Sequence, residues 1–296
     1  MLIQIRLKTT LGIRKMIHNT LISVDTLNLS LHQPDWVIID CRFSLANTQQ
    51  GKSAYQQGHI PNARYAHLDN DLSSTITDFT GRHPLPDSRV LVKKLGKWGI
   101  SNHSQVIIYD DAGGAFAGRL WWLLRHWFGH DKVAVLDGGI QAWQKKFDLV
   151  TTLPKVKVTT FRPYLNDTQW LTALQVQNAL AQKKICLIDA RTPERYRGEI
   201  EPIDFVAGHI PYALNRPFQL NLDKAGFFLP IEKLHADFQA LIGNTKAENV
   251  VHYCGSGVTA CHNLLAMEHA SLKGSKLYAG SWSEWIRNQN RPIVKS

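Results

Sequence analysis

The sequence predicts an α/β fold built twice in tandem, each copy a mainly parallel sheet flanked by helices. Short apolar runs of four or five residues alternate with longer segments of helical spacing, which is the pattern of strands buried beneath helices on both faces. The chain also repeats itself in one order. Ile38-Ile39-Asp40 returns as Leu187-Ile188-Asp189, and Gly58-His59-Ile60-Pro61 returns as Gly208-His209-Ile210-Pro211. Val106-Ile107-Ile108-Tyr109-Asp110 returns as Val250-Val251-His252-Tyr253-Cys254, and Gly138-Gly139-Ile140-Gln141-Ala142-Trp143 as Gly280-Ser281-Trp282-Ser283-Glu284-Trp285. Finally, 296 residues give each copy enough chain to bury its own core.

The elements follow in order. In the first half, strands are expected near residues 36–40, 105–109 and 132–136, and helices over 87–98 and 115–128. Trp121, Trp122 and Trp127 have helical spacing and read as core or interdomain filling. Residues 151–163 are rich in Thr, Lys and Pro without helical periodicity; this linker separates a domain at 18–150 from one at 164–296. In the second half, strands are expected near 185–189, 249–253 and 275–278, with helices over 230–242 and 259–269. Pro230 suits a first helical turn and Gly243 a C-terminal stop.

Composition narrows the function classes. Lys and Arg number 34 against 24 Asp and Glu, a net charge of +10 spread along the chain, which favours small anionic substrates. With no basic helix, aromatic RNA-binding signature or zinc-finger spacing, nucleic acid is not an expected partner. No apolar stretch reaches the ~18 residues of a membrane span. The four cysteines, Cys41, Cys186, Cys254 and Cys261, form no disulfide framework, which points to a reducing, cytoplasmic setting. Residues 1–17 carry Arg6, Lys8, Arg14 and Lys15 and no acid, and read as a weak targeting segment or an over-long start.

The chemistry centres on Cys254. An apolar strand delivers this thiol into the small-residue loop Gly255-Ser256-Gly257-Val258-Thr259, and a helix follows. Loop N–H groups and the helix dipole at such a junction stabilise a thiolate. Thr259 is expected to cap the helix through its hydroxyl. Cys261 lies two helical turns further on and reads as packed. His252, Cys254, Cys261 and His262 contain no Cys-x-x-Cys pair, so no metal is expected. The loop Asp111-Ala112-Gly113-Gly114 fits no nucleotide fingerprint, so no nucleotide cofactor is expected either. Six positions after Cys254, where a cysteine phosphatase needs arginine, stands Ala260.

Taken together, the paired Gly-His-Ile-Pro turns, Asp189-Ala190-Arg191 followed by Arg195-Tyr196-Arg197-Gly198, the Cys254 loop and the segment 280–285 resemble the two-domain rhodanese-like sulfurtransferases. That family includes thiosulfate and 3-mercaptopyruvate sulfurtransferases. The resemblance covers nearly all of the chain after about residue 20 and implies no cofactor. It implies that Cys254 takes a sulfane sulfur from a small anionic donor as a persulfide. A thiol or cyanide then receives it, the thiol being a small molecule or a thioredoxin-like protein. It implies proton handling by Ser256, donor binding by Arg195, and a pocket lined by Gly255, Gly257, Val258 and Thr259. The alternative for Arg195 is a surface ion pair with Glu194 or Glu199. Arg191 and Arg197 read as structural, and so do the matched His59 and His209, with His59 a minor interdomain candidate. The first domain is expected to be silent, because Asp110 stands where Cys254 does in the repeat.

Thiosulfate-type relatives carry cationic side chains in the loop, whereas this chain has Gly255 and Ser256, which favours 3-mercaptopyruvate as donor. Against it, Glu201-Pro202-Ile203-Asp204 supplies none of the second arginine that mercaptopyruvate-type relatives place there. A thiosulfate sulfurtransferase and, further off, a noncatalytic sulfur-carrier module are the alternatives.

Overall fold

A computed structural model describes residues 17–296. The targeting reading for residues 1–17 lies, save for Ile17, outside the described residues. Two five-stranded sheets form, with all strand pairs parallel. The first contains β1 (Leu21–Ile22), β2 (Trp36–Asp40), β3 (Ala63–Tyr65), β4 (Gln105–Tyr109) and β5 (Val133–Leu136), in the order β1-β5-β4-β2-β3. The second contains β6 (Trp170–Leu171), β7 (Cys186–Asp189), β8 (Leu214–Asn215), β9 (Val250–Tyr253) and β10 (Lys276–Tyr278), in the matching order β6-β10-β9-β7-β8. Helices α1 (Val24–Ser30), α2 (Gln50–Gln57), α3 (Leu68–Asp71), α4 (Ser88–Lys97), α5 (Ala117–Trp122) and α6 (Gly139–Gln144) belong to the first unit. The second has α7 (Ala173–Ala181), α8 (Pro193–Arg197), α9 (Ile231–Ile242), α10 (Ala260–His269) and α11 (Ser281–Trp285).

The repeated motifs do the same work in both units. Asp40 opposes Tyr109, and Asp189 opposes Tyr253. Each aspartate holds a buried arginine two residues on, Arg42 and Arg191, and each arginine donates to the carbonyl of the glycine before the histidine, Gly58 or Gly208. His59 and His209 place Nδ1 2.8 Å from the carbonyls of Tyr55 and Tyr196, and each stacks on that tyrosine's ring. These groups make matching hydrogen bonds in both units, and Arg191 also lines the pocket described below.

Three local expectations are corrected. Residues 115–128 do not form one α-helix: α5 ends at Trp122 and a π-helical turn covers Leu123–Trp127. There the Phe128 N–H donates to the Leu123 carbonyl, a wider turn that seats Trp122 and Trp127 in the core. Pro230 stands at the N-cap, one residue before the first turn. Thr259 occupies an N-cap in helical geometry, and its hydroxyl makes no cap bond.

The largest core joins both units, through α5 against α10. Gly118 permits the close approach: a Cβ there would sit 3.3 Å from the His262 nitrogen. His262 reaches across with Nε2, 2.9 Å from the Gly113 carbonyl. The linker runs along the first unit, where Thr159 donates its N–H to Gly96 and its hydroxyl to Ile100. Among the described residues, no helix is long and apolar enough to cross a membrane.

Candidate active site

A cavity of about 290 Å³ opens where the two units meet, beyond the carboxyl end of β9. Cys254 lies at its floor, 2% exposed. The loop around it is held from behind: the Cys254 N–H donates to Ser281 Oγ, while the carbonyls of Cys254 and Gly255 accept from the N–H groups of Trp282 and Ser283. This is the role of the repeated 280–285 segment. Gly257 turns the loop at φ +78°, and a Cβ there would lie 2.2 Å from the Ala279 carbonyl oxygen, so only glycine fits. That turn aims the Gly257 N–H at Cys254 Sγ, 3.2 Å away.

Ser256 is buried, and its Oγ lies 2.7 Å from Nδ1 of His83, a residue of the first unit. The other ring nitrogen of His83 lies 3.2 Å from Asp69. A carboxylate only accepts, so Nε2 carries the proton and Nδ1 accepts from the serine hydroxyl. Burial pushes the His83 pKa below its ordinary value although Asp69 pulls the other way, and the imidazole is therefore neutral near pH 7. The hydrogen bond from His83 in turn holds Asp69 below the usual carboxylate range. Serine, histidine and aspartate thus form one hydrogen-bonded chain across the two units.

Arg195 is part of the pocket wall, and its ion pairs are not with Glu194 or Glu199. It binds Glu201 at 2.7 Å and Asp204 at 3.2 Å; Glu199 pairs instead with Arg197. Asp204 also holds Arg82, from the first unit, at 3.2 Å. The stretch 201–204 carries no arginine of its own, yet its two carboxylates position three, since Glu201 also pairs with Arg191 at 3.2 Å. A Cβ at Gly255 would lie 2.8 Å from the Arg82 guanidinium and 3.5 Å from that of Arg195, so the glycine leaves room for both. Val258 and Thr259 complete the wall.

The remaining candidates are not brought together at the site. Cys261 is buried, with Sγ 3.4 Å from the Gly257 carbonyl, and burial pushes its thiol up to about 12. His252 lies in the core with Nε2 3.1 Å from Met267 sulfur, its pKa pushed down to about 3 by burial. Among the described residues, no group of three or more His, Cys, Asp or Glu is placed to hold a metal. In the first unit, the loop matching that of Cys254 is filled by its own carboxylate: Asp110 accepts the N–H groups of Ala112, Gly114, Phe116 and Ala117 at 2.8–2.9 Å.

Sequence reading missed Arg82, His83 and Asp69. They lie in and around a polar loop without periodicity, and what ties them to the site is contact with residues far along the chain, which no local motif encodes.

The model of the rhodanese-like domain matches residues 23–146 and again 172–288. A probable 3-mercaptopyruvate sulfurtransferase of Pseudomonas aeruginosa is 46% identical over 277 residues, 93% of this chain and 97% of that protein. A putative thiosulfate sulfurtransferase of Mycobacterium tuberculosis is 38% identical over 86% of this chain and 89% of its own length. Among solved structures, the Escherichia coli 3-mercaptopyruvate enzyme superposes with a TM-score of 0.76 at 28% identity, over 90% of this chain and all of that one. The 3-mercaptopyruvate sulfurtransferase from Leishmania major gives 0.78 at 27%, over 90% of this chain and 74% of its own. With both halves matched and an intact cysteine loop in the second, the chain belongs to the rhodanese-like family and is a sulfurtransferase built from two such domains.

Proposed function

We propose that the sulfur donor is 3-mercaptopyruvate, that Cys254 carries the sulfur as a persulfide, and that a thiol or cyanide receives it. In this reading residues 164–296 bear the nucleophile, and residues 18–150 bear none of their own and supply pocket wall. The Cys254 thiolate forms an S–S bond with the donor sulfur. The donor's C–S bond breaks, its electron pair passing into the enolate of pyruvate, and the proton from the donor thiol ends on the enolate carbon. Cys254 is left as a persulfide anion within reach of the Gly257 N–H.

The observation that carries this reading is the Ser256–His83–Asp69 relay beside the thiol. Mercaptopyruvate needs a proton moved to its leaving group, and a serine hydroxyl backed by a neutral imidazole moves one. Thiosulfate releases sulfite, which takes the electron pair without a proton and gives the relay nothing to do. Charge agrees once Arg82 and Arg195, which stand over the neutral loop, are counted. Glu201 and Asp204 balance those two cations, so the rim suits a monocarboxylate better than a dianion. The guanidiniums offer paired donors to that carboxylate.

Leu45 and Ile203 are exposed at the mouth, leaving access for a small thiol or for the apolar surround of a thioredoxin-like protein's cysteine. Free thiols at all four cysteines support a cytoplasmic setting. Intact-mass analysis after incubation with each donor tests the proposal. One sulfur atom should add to the wild type and none to Cys254→Ser, and kcat/KM should be higher for mercaptopyruvate than for thiosulfate with the same acceptor. A clear thiosulfate preference, or loading of Cys254→Ser, would overturn it.

A further inference from the structure

Arg119 on α5 is fully buried, a costly place for a permanent cation, and the proposed mechanism gives it nothing to do. One guanidinium nitrogen donates to the Gly257 carbonyl at 3.0 Å. The second terminal nitrogen donates to the carbonyls of His83 and Pro84, at 3.1 and 3.3 Å. It therefore ties the turn that aims an N–H at Cys254 to the segment that carries Arg82 and the relay histidine.

Its charge is unbalanced as well. The other arginines facing the thiol are Arg82, Arg191 and Arg195, and they share three carboxylates: Asp189, Glu201 and Asp204. His83 has Asp69 and is neutral. Cys261, packed on the same carbonyl, holds its proton. Among the described residues, no carboxylate is ion-paired with Arg119, and the groups its charge acts on are the sulfurs of Cys261 and Cys254.

We infer that Arg119 is a positioning residue that acts on Cys254 from the opposite domain, clamping Gly257 against the His83 segment and supplying the buried positive charge that balances the sulfur anion. The inference rests on Cys254 being the nucleophile, but not on which donor loads it. Once Cys254 has given up its proton to react, that charge faces the thiolate; after transfer it faces the persulfide anion. Placing it on α5 also makes full reactivity depend on both domains being docked.

The test compares the full chain with Arg119→Met and Arg119→Lys. Alkylation by iodoacetamide at pH 7 is read at Cys254 by peptide mapping and needs no sulfur donor. Arg119→Met should alkylate at least tenfold more slowly, and Arg119→Lys, which keeps the charge, should stay within threefold of wild type. With mercaptopyruvate, Arg119→Met should lose kcat while KM changes less than about twofold, because Arg82 and Arg195 are untouched. Wild-type alkylation in Arg119→Met, or an equal loss in Arg119→Lys, overturns the inference. Should Arg119→Met fail to fold, the threefold limit on Arg119→Lys decides it. A wrong donor assignment would show differently, as absent loading by mercaptopyruvate in the wild type with these alkylation differences intact.

Discussion

In the proposed mechanism Cys254 does not act alone, and what it lacks comes residue by residue from the other domain: Arg82 for charge, and His83 with Asp69 for proton movement through Ser256. The relay has a pH signature. His83 accepts the serine proton only while neutral, and burial lowers its pKa from the ordinary 6.5. kcat/KM for mercaptopyruvate should therefore hold as pH falls to 6.5 and decline at some lower pH, where Nδ1 gains its own proton. The sign for stability is the same: the unfolded chain binds that proton first, so the contribution of neutral His83 is complete above 6.5 and is lost as pH falls through the lowered value. Ser256→Ala should cost about 10²-fold or more in kcat and abolish this acid limb. A pH–rate profile settles it, since an acid limb that persists unchanged in Ser256→Ala would show that His83 does not work through the serine.

At the scale of elements, the same strand–loop–helix unit appears twice with opposite contents. In the first domain it ends β4, gathers four N–H groups around Asp110 and starts α5. In the second it ends β9, directs an N–H to a thiol and starts α10. The first loop is an anion cradle closed by its own side chain. Asp110→Ala leaves four buried or half-buried donors without that acceptor and should lower stability by about 2–4 kcal/mol, read as a fall in the chemical-denaturation midpoint. An unchanged midpoint would mean that water replaces the carboxylate at no cost. The two loops also show what the sequence made legible. The five strands of four or five residues were readable, and β10 with them, because a short apolar run suffices to mark a buried strand. The three-residue β3 and the two-residue β1, β6 and β8 were not, because their partners define them and periodicity cannot. Cys254, Ser256 and Arg195 announced themselves through local motifs, whereas His83 and Arg119 acquire meaning only by touching Ser256 and Gly257, 173 and 138 residues away. The segment 201–204 was read for the arginine it lacks, and its function lies in the carboxylates it has.

The whole molecule is one catalytic unit made from two folding patterns, because the pocket exists only where they meet. Each sheet has a separate core on its outer side, built in the first domain around Ile38 and Ile107 and in the second around Leu187 and Val251. The core on the inner side is shared, with α5 lying against α10. Gly118 sits at that crossing, and the added Cβ would already approach the backbone of Cys261 and His262 at 3.3–3.5 Å. A methyl group there is tight and a larger side chain has nowhere to go. Gly118→Leu should therefore act as a wedge, costing about 1–3 kcal/mol by overpacking and moving His83, Arg82 and Arg119 away from the Cys254 loop together. The separate outer cores should keep both sheets formed, so far-UV circular dichroism should change little while kcat/KM for the donor falls at least a hundredfold. Gly118→Ala should lie between the two. Circular dichroism and donor kinetics on the same preparations check this; near-wild-type kinetics in a folded Gly118→Leu protein would mean that the active site does not depend on close docking of α5 on α10.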